Sequence, residues 1–271
     1  MQCLKSLYDQ SADKNCFEVI VVNDGGKTEL FEDLRIYHNK LTLSYFYQDH
    51  RGPAAARNLG IKKAKGDIVL FLDDDSLPIR NWLNDTIKAW ENFSDFDGIG
   101  GYIISDPTDS IYCRVNSDFF NWYLEQHSFH ESSTFLLTCN AGYKRSILNK
   151  VGNFDEWFKK ASGEDRDLNL KISKFGGRLR LDKSVLVRHN RDLSFMTFVR
   201  KHYNYGKAAY NIYARYPDLN HLSTKSYINL YSSILRKYRT FKEKIIVFLL
   251  LTLSQVATLI GYYAAIFSKQ E

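Results

Sequence analysis

The run GDIVLFLDDDSLP at residues 66–78 constrains the fold more than any other part of the chain. Its first half is a continuous apolar run bounded by turn residues, which is typical of a strand covered on both faces of a parallel sheet. The run ends in three consecutive aspartates, Asp73, Asp74 and Asp75. Carboxylates this close repel one another unless a cation lies between them. The pattern predicts a strand that carries a cation-binding cluster at its carboxyl end; an acidic turn that only caps the strand is the alternative.

Strands and helices alternate through the first part of the chain. Apolar runs at 16–24, 41–49 and 67–75 predict strands, and helices are expected near Thr28–Tyr37 and over Pro53–Gly66, with the glycine as a cap. This order is typical of an α/β fold with a doubly wound, mostly parallel sheet flanked by helices. In such sheets ligands bind beyond the carboxyl ends of the strands.

The pattern loosens after Gly98, but no repeat or linker divides the chain. GIGGYIIS (98–105) and STFLLTCNAG (133–142) are expected to be strands, and GEDRDLNLKISKFGG (163–177) a short helix with an acidic first turn. An acidic first turn can simply complement the helix dipole, which is the structural alternative for this motif. We therefore expect a single catalytic-type domain over residues 1–192.

The C-terminal part of the chain indicates a membrane. No residue from Ile245 to Phe267 is charged, and this stretch is long enough to span a bilayer. The preceding segment RKYRTFKEK is basic, so the positive-inside rule puts that side in the cytoplasm. We expect a basic and aromatic helical membrane-proximal region at 193–244 and a transmembrane or membrane-embedded helix at 245–267; a buried helix or an in-plane helix is the alternative.

Composition narrows the possible partners. The net charge is +6 and the isoelectric point is about 8.9, but acidic residues are plentiful and the basic excess is concentrated toward the C-terminus. Basic residues and aromatics alternate over 195–216, a mixture that can bind nucleic acid but that fits a membrane-interface helix better beside 245–267. The four cysteines lack metal-ligand spacing and indicate core thiols in a reducing compartment, and the N-terminus lacks a secretory signal.

Four motifs follow one another along the chain: FEVIVVNDGG (17–26), RGPAAARNLGIKKAKGDIVLFLDDDSLP (51–78), NAGYKRSILNKVGNFDEWF (140–158) and GEDRDLNLKI (163–172). Their order and approximate spacing resemble those of family 2 glycosyltransferases of the GT-A fold, a Rossmann-like fold. The resemblance covers about residues 3–190. It implies an inverting enzyme that uses a nucleotide-diphosphate sugar of the UDP or dTDP type.

The resemblance also implies which residues bind the donor. Asp24 would lie against the nucleotide base and Arg57 near the nucleotide. Arg51 is a further candidate for the diphosphate, although a loop arginine is as often only a solvated charge. Within the NAGYKR motif, Asn140 would lie under the sugar, with tight packing as its alternative role.

A divalent metal is the implied cofactor. Asp73 and Asp75 form the Asp-x-Asp pair that touches the ribose and the metal-bound diphosphate, and Asp74 is an adjacent donor-site candidate. Carboxylates and phosphate oxygens suit Mg²⁺ or Mn²⁺. His189 ends a short apolar strand, where some GT-A relatives carry a histidine facing metal or phosphate; an ordinary histidine at a strand end is the alternative.

The acidic helix motif supplies the implied catalytic residues, Glu164 and Asp165. Asp165 would be the base that deprotonates an acceptor hydroxyl, and crowding by Glu164 and Asp167 would raise its proton affinity. The acceptor is expected to be a glycan or a lipid-linked sugar in cell-envelope polysaccharide synthesis. The absence of a Gln-x-x-Arg-Trp motif favours single-sugar addition by a membrane-associated enzyme with its catalytic domain in the cytoplasm.

The sequence departs from the family pattern at its start. Family members begin with an apolar strand before the helix in which Met1 falls, and without it two neighbouring strands would have unpaired edges. Two other function classes therefore stay open. One is a catalytically inactive, membrane-attached binding module of the same fold. The other is a metal-dependent nucleotidyltransferase, which is disfavoured because the sequence lacks a Gly-rich basic phosphate loop.

Overall fold

The computed structural model divides the chain into two compact units. The first comprises Met1–Tyr102 and His130–Arg188, and the second comprises Ile103–Phe129 and His189–Glu271. The structure describes residues 1–26, 34–37, 40–129, 132–160, 162–189, 193–219 and 221–268. Most of the helix expected near Thr28–Tyr37 lies outside these residues, although 34–37 are helical.

The first unit contains strands and helices in alternation. Its strands are β1 (Val19–Asp24), β2 (Leu43–Gln48), β3 (Ile68–Phe71), β4 (Ser76–Pro78), most of β5 (Gly98–Ile104), β7 (Ser132–Ser133), β8 (Ala141–Lys144) and nearly all of β9 (Leu179–His189). Its helices are α1 (Gln2–Tyr8), α2 (Pro53–Lys63), α3 (Trp82–Asn92), α5 (Arg145–Val151) and α6 (Glu164–Lys174). Short 3₁₀ turns occur at Lys14–Cys16 and Thr138–Asn140.

The strands form two sheets rather than one mostly parallel sheet. β1 and β2 pair in parallel, from Val19 opposite Leu43 onward. In the other sheet β3, β8, β5, β9 and β7 are neighbours in that order, and β8 is antiparallel to both β3 and β5. Parallel pairing is present between β1 and β2, whereas β8 inserts between β3 and β5 and is antiparallel to both. No ladder joins the two sheets among the described residues.

The core of the first unit lies around β3 and β8. Buried apolar side chains from these strands and from three helices form one cluster, whose members include Ile61, Phe71, Tyr143, Leu148, Leu168 and Ile172. Phe71 packs edge-on against Phe154, with ring centroids 5.3 Å apart. This packing fixes the carboxyl end of β3, where the aspartate triplet begins.

Helix α2 begins at Pro53 as predicted but ends before the expected glycine cap. Ala64 leaves the helical conformation, and the next two amides, of Lys65 and Gly66, donate to the carboxylate of Glu18 at 2.6 and 3.3 Å. In a glycine cap, amides just after the helix would instead donate to carbonyls of its last turn.

The segment 133–142 is mostly not a strand, contrary to the prediction. Only its first residue is part of β7, a 3₁₀ turn follows at Thr138–Asn140, and β8 begins at Ala141. Asn140 is buried, and its side-chain amide donates to the carbonyls of Tyr102 and Val185, both at 3.0 Å. These bonds hold the turn in place of a continuous ladder.

The second unit is mainly helical. It contains α4 (Ile111–Gln126), α7 (Phe195–Arg215), α8 (Thr224–Leu235), α9 (Phe241–Phe267) and the short strand β6 (Ser128–Phe129). One core cluster joins α4 to the C-terminal helices, and its members include Val115, Trp122, Phe198, Leu230 and Leu251. Segment 103–129 therefore packs with residues beyond 189, although the sequence suggested a continuous domain to 192.

One helix among the described residues, Phe241–Phe267, is long and apolar enough to cross a membrane, with a mean hydropathy of 2.1. By itself this composition is weak support for a span. The helix begins with a capping box in which Thr240 and Glu243 satisfy each other's backbone amides.

Candidate active site

The aspartate triplet follows β3 and forms an exposed turn. Asp73 is half-buried, Asp74 and Asp75 are exposed, and the amide of Ser76 donates to the carbonyl of Asp73 at 3.0 Å. The apolar strand thus ends two residues before the first carboxylate, and the turn presents the next two to solvent. The order of strand and carboxylates that the sequence predicted is thus present, and the cation-binding role of the cluster stays a prediction.

Arg57 connects this turn to the acidic helix. Its guanidinium donates to the Asp73 carboxylate at 3.0 Å and to the Glu164 carboxylate at 2.7 Å. The Arg57 side chain is only 15% exposed and lies over the ring of Phe154. Burial lowers the pKa of Arg57, but the two carboxylates outweigh it and raise the pKa above its usual range. Arg57 is therefore a permanent cation that joins β3 to α6.

The start of α6 collects negative charge. Gly163 precedes the helix with a positive φ of 95°, a conformation that favours glycine, and Glu164, Asp165 and Asp167 fill the first turn. The dipole of α6 stabilises anions at this end. Asn169, one turn later, donates to the carbonyls of Asp165 and Leu136 at 2.7 and 2.8 Å, which fixes the position of the first turn.

Asp165 has the titration behaviour of a general base. Burial and the neighbouring Glu164 carboxylate raise its pKa to about 7, against the opposing effect of Arg57. A carboxylate with this pKa takes up protons far more readily than an ordinary aspartate at neutral pH. The predicted crowding by Glu164 is thus present, with burial as the larger cause, whereas Asp167 is not among the main causes.

Glu164 is buried, and its two carboxylate oxygens have different surroundings. Its Oε1 accepts from Arg57, whereas its Oε2 has no hydrogen-bond partner among the described residues. Buried carboxylate oxygens are normally hydrogen-bonded, so an unmatched one marks capacity for a ligand donor such as a hydroxyl.

Asp24 ends β1 and holds the loop that follows β2. Its carboxylate accepts from the amides of Arg51 and Gly52, both at 2.8 Å, and from the side chain of Gln48 at 2.6 Å. Partial burial raises the pKa of Asp24, but these hydrogen bonds outweigh it, so the pKa is lowered. His50, which was not among the residues predicted from the sequence, lies 3.0 Å from the same carboxylate.

Arg51 pairs with a residue that sequence reasoning also missed. Its guanidinium lies 2.6 Å from the carboxylate of Glu156 and remains 59% exposed. Asn58 on α2 donates to Glu156 at 3.2 Å and exchanges two hydrogen bonds with the backbone of Phe154. Phe154 and Glu156 lie in GNFDEWF, the end of the third motif of the family resemblance, so the sequence marked this segment without showing its partners.

Two other candidates have different surroundings. Asn140 uses both side-chain atoms inside the first unit, because its oxygen also accepts from the indole of Trp82 at 2.8 Å. The packing role is therefore the one this geometry supports. His189 is the last residue of β9 and the first of the second unit. Its metal role stays a prediction.

The donor set at the turn fits a hard divalent cation. Asp75 is exposed, and Asp73 offers a second carboxylate. The buried thiol of Cys139 lies within 4.8 Å of an Asp73 oxygen, but burial raises the pKa of this thiol well above its usual value. A neutral thiol is a poor ligand for Mg²⁺ or Mn²⁺, so the carboxylates are the residues expected to hold such an ion.

A sequence profile of Glycosyl transferase family 2 matches residues 1–152. This stretch contains the Asp24 loop, Arg57 and the aspartate triplet, and it is more than half of the chain. The chain belongs to glycosyl transferase family 2. The predicted family is therefore confirmed, and so is the prediction of a glycosyltransferase at the level of the family.

Curated relatives agree with this assignment. The hyaluronan synthase of Pasteurella multocida is 28% identical over 206 residues, which are 64% of this chain and 21% of the synthase. The pre-mycofactocin glycosyltransferase of Mycobacterium tuberculosis is 28% identical over 208 residues, which are 74% of this chain and 43% of the relative. The chain thus spans less than half the length of these two relatives.

Solved structures confirm the GT-A fold that the family 2 resemblance implied. The mannosyltransferase PcManGT from Pyrobaculum calidifontis, in complex with GDP-Man and Mn²⁺, aligns with a TM-score of 0.67 at 16% identity, over 98% of this chain and 83% of that one. TarS from S. aureus, in complex with UDP-GlcNAc, aligns with a TM-score of 0.54 at 18% identity, over 98% and 86%. At these identities the likeness shows the fold alone.

Proposed function

We propose that this chain is an inverting, metal-dependent glycosyltransferase that moves a sugar from a nucleotide-diphosphate sugar to an acceptor hydroxyl. The observation that carries the proposal is the position of Asp165 in the first turn of α6, next to Glu164, where burial and the Glu164 carboxylate raise its pKa. It is linked through Glu164 and Arg57 to the aspartate turn after β3. A base and a donor-side carboxylate are thus connected by one buried cation.

Asp165 takes the proton from the acceptor hydroxyl. The hydroxyl oxygen then forms a bond to the anomeric carbon from the face opposite the leaving nucleoside diphosphate, whose bond to that carbon breaks. A single displacement of this kind inverts the configuration. The unmatched Oε2 of Glu164 accepts a hydrogen bond from a ligand hydroxyl, which orients the acceptor beside the base.

The donor binds on the side of the Asp24 loop. Asp24 recognises the base, and Arg51 and Arg57 add positive charge near the diphosphate. The GDP-Man bound to the mannosyltransferase and the UDP-GlcNAc bound to TarS support a donor of this class, with UDP or dTDP as the proposed nucleotide.

Asp73 and Asp75 hold Mg²⁺ or Mn²⁺, with Asp74 adjacent and His189 as a further proposed ligand. When bound, the ion neutralises charge that develops on the departing diphosphate. The Mn²⁺ in the mannosyltransferase complex supports a metal of this class. The protein's own part is to present the two carboxylates on one turn, which the hydrogen bond from the Ser76 amide to the Asp73 carbonyl closes.

The proposed acceptor is a glycan or lipid-linked sugar in cell-envelope polysaccharide synthesis. Among the relatives, the names of the hyaluronan synthase and of a dolichyl-linked glucuronosyltransferase of Methanococcus voltae support this class. The apolar helix α9 attaches the enzyme to a membrane, and the basic residues before it favour a cytoplasmic catalytic domain.

Release of nucleoside diphosphate from a panel of sugar nucleotides, with excess Mn²⁺ or with EDTA, tests the proposal. We expect release that needs the metal and that falls about 100-fold or more in Asp75→Asn, since metal assistance is worth several kcal/mol. Asp67→Asn is the matched control, because Asp67 is exposed next to the other end of β3. Equal loss in both variants, or release that is unaffected by EDTA, would contradict the metal role. Donor binding without any turnover would instead support an inactive module.

A further inference from the structure

Helix α9 is apolar on both of its faces. One face is buried within the second unit, by Val247, Leu250, Leu251, Ser254, Ala257, Gly261 and Ala265. The other face is exposed and carries Phe241, Ile245, Ile246, Phe248, Leu249, Val256, Leu259, Ile260, Tyr263 and Phe267. A helix that packs on one side of a soluble protein normally has a polar outer face. The exposed face therefore needs an apolar environment.

Helix α7 packs along α9 between Leu253 and Tyr262. The Thr258 hydroxyl donates to the carbonyl of His202 at 3.2 Å, and the rings of Tyr210 and Tyr262 lie 5.5 Å apart. At the crossing point two glycines allow the backbones to touch. A Cβ on Gly206 would lie 1.9 Å from the carbonyl oxygen of Thr258, and one on Gly261 would lie 1.9 Å from that of Tyr203. The contacts advance in the same direction along both helices, so α7 and α9 form one pair.

The charges on α7 determine how this pair can meet a bilayer. Arg200 is exposed and Lys207 is half-buried, and both lie on the stretch of α7 that follows α9. If α9 crossed the bilayer, the packed part of α7 would enter the hydrocarbon with these charges. Charged side chains at that depth are costly, and the backbone contact at the two glycines puts α7 at the same depth as the part of α9 on which it packs. An orientation in the membrane plane avoids this cost.

A groove between the two helices is continuous with the exposed face of α9. It has a volume of about 320 Å³ and is lined by Met196, Val199, Arg200, Tyr203, Leu253, Val256, Ala257 and Ile260. Arg200 is the single charged residue of this lining. Apolar walls with one arginine match an acyl chain beside a lipid phosphate.

Basic residues surround the start of α9. The exposed ones are Arg236, Lys237, Arg239, Lys242 and Lys244. Clustered Lys and Arg beside an apolar helix face are attracted to anionic lipid headgroups. A second copy of the chain would bring the same positive cluster close to its own in a parallel arrangement, where like charges repel. Charge complementarity thus favours an anionic lipid surface over self-association.

We propose that α7 and α9 lie together in the plane of an anionic membrane surface, with the exposed face of α9 and the groove inserted among acyl chains and Arg200 at the phosphates. This inference rests on the proposed membrane attachment and replaces a span by an in-plane helix pair. It concerns the second unit alone and does not depend on the chemistry at Asp165.

Co-sedimentation of the full chain with vesicles tests the surface. Vesicles of phosphatidylcholine alone are compared with vesicles that also contain phosphatidylglycerol. We expect tighter binding to the anionic vesicles and an affinity that falls with added salt. Arg200→Glu should lower the affinity about tenfold, and the double variant Leu249→Asp with Ile260→Asp should lower it about 100-fold. Lys150→Glu, an exposed charge reversal in the first unit, is the control and should bind about as well as the wild type. Circular dichroism checks that each variant is folded.

The depth of spin labels in the same vesicles tests the orientation. Single cysteines replace Leu249, Val256 and Tyr263, which share one exposed face at seven-residue spacing, after the accessible Cys3 and Cys16 are changed to serine. The outer two positions are about 21 Å apart along the helix. An in-plane helix gives equal depths at all three positions. A spanning helix gives the greatest depth near one position and graded depths at the others.

The outcomes separate the two proposals. Binding with equal depths supports both the membrane attachment and the in-plane pair. Binding with graded depths overturns the in-plane pair and leaves the attachment standing. If the chain binds neither vesicle and forms a dimer without lipid that Leu249→Asp dissociates, the membrane attachment and the in-plane pair are both overturned. The exposed face of α9 then belongs to a contact with a second copy. No binding by a monomer overturns both as well.

Discussion

Replacement of Arg57 by methionine should destabilise the first unit strongly. The substitution keeps an unbranched apolar chain over Phe154 but leaves the carboxylate of Glu164, which is 4% exposed, without its cation. Removal of one partner of a buried ion pair costs about 3–5 kcal/mol. The Asp73 contact adds at most about 1 kcal/mol, because that carboxylate is 33% exposed and screened by water. We expect the free energy of unfolding to fall by about 3 kcal/mol or more.

Urea unfolding in mild detergent, followed by tryptophan fluorescence, measures this loss. Three of the four tryptophans, Trp82, Trp90 and Trp157, belong to the first unit. Arg51→Met is the matched control, since its ion pair with Glu156 is exposed and should cost about 1 kcal/mol or less.

A second variant tests whether the loss arises from the stranded carboxylate. Glu164→Gln in the Arg57→Met background should recover stability, with a coupling energy of about 2 kcal/mol between the two sites. The reasoning is refuted if Arg57→Met costs no more than Arg51→Met. It is also refuted if the two substitutions at 57 and 164 are additive.

Three further predictions concern the base, the donor loop and the helix pair. Because the pKa of Asp165 is raised to about 7, turnover should rise about tenfold per pH unit below 7 and level off above it. The free energy of unfolding should fall as pH rises from about 4 through 7, because the folded state binds a proton that the unfolded state has already released. Asp165→Asn should abolish both trends, measured by kinetics and by urea unfolding at each pH. Asp24→Asn turns an amide toward one of the backbone donors of Arg51 and Gly52, so donor KM should rise and stability fall by about 1–2 kcal/mol, and an unchanged KM would contradict the loop's role. Gly261→Leu should separate α7 from α9 and lower the midpoint of thermal unfolding that circular dichroism measures on the helices. An unchanged midpoint would contradict the close contact.

Local sequence signals predicted the elements that frame the site. β1, β2, α2 and α6 lie within a few residues of their predicted positions, because apolar runs, Pro53 and the acidic first turn of α6 act over short distances. The aspartate turn was predicted for the same reason, since a buried strand has to end where the carboxylates begin.

Contacts between distant residues could not be predicted in the same way. The Glu18 carboxylate accepts hydrogen bonds from two backbone amides just after α2. The Asn140 side chain donates hydrogen bonds to two backbone carbonyls and holds a turn where a strand was expected. Neither effect has a periodicity that the sequence displays. The link from Arg57 to Glu164 likewise joins residues more than a hundred positions apart.

The membrane region illustrates a related limit. Hydropathy identified 245–267 as apolar, but it does not say which other helix shares its environment. Gly206 and Gly261 bring α7 against α9, and only that packing shows that charged residues accompany the apolar stretch. The difference between a spanning and an in-plane helix therefore depends on tertiary contacts.

The most direct test of the proposed transfer separates binding from turnover in Asp165→Asn. Isothermal titration calorimetry measures the affinity for the sugar nucleotide identified in the panel, and NMR of the product measures the rate and the anomeric configuration. We expect an affinity close to that of the wild type, a rate at least about 100-fold lower, and an inverted anomeric centre in the wild-type product. Retained configuration, or wild-type turnover by Asp165→Asn, would contradict the proposed transfer.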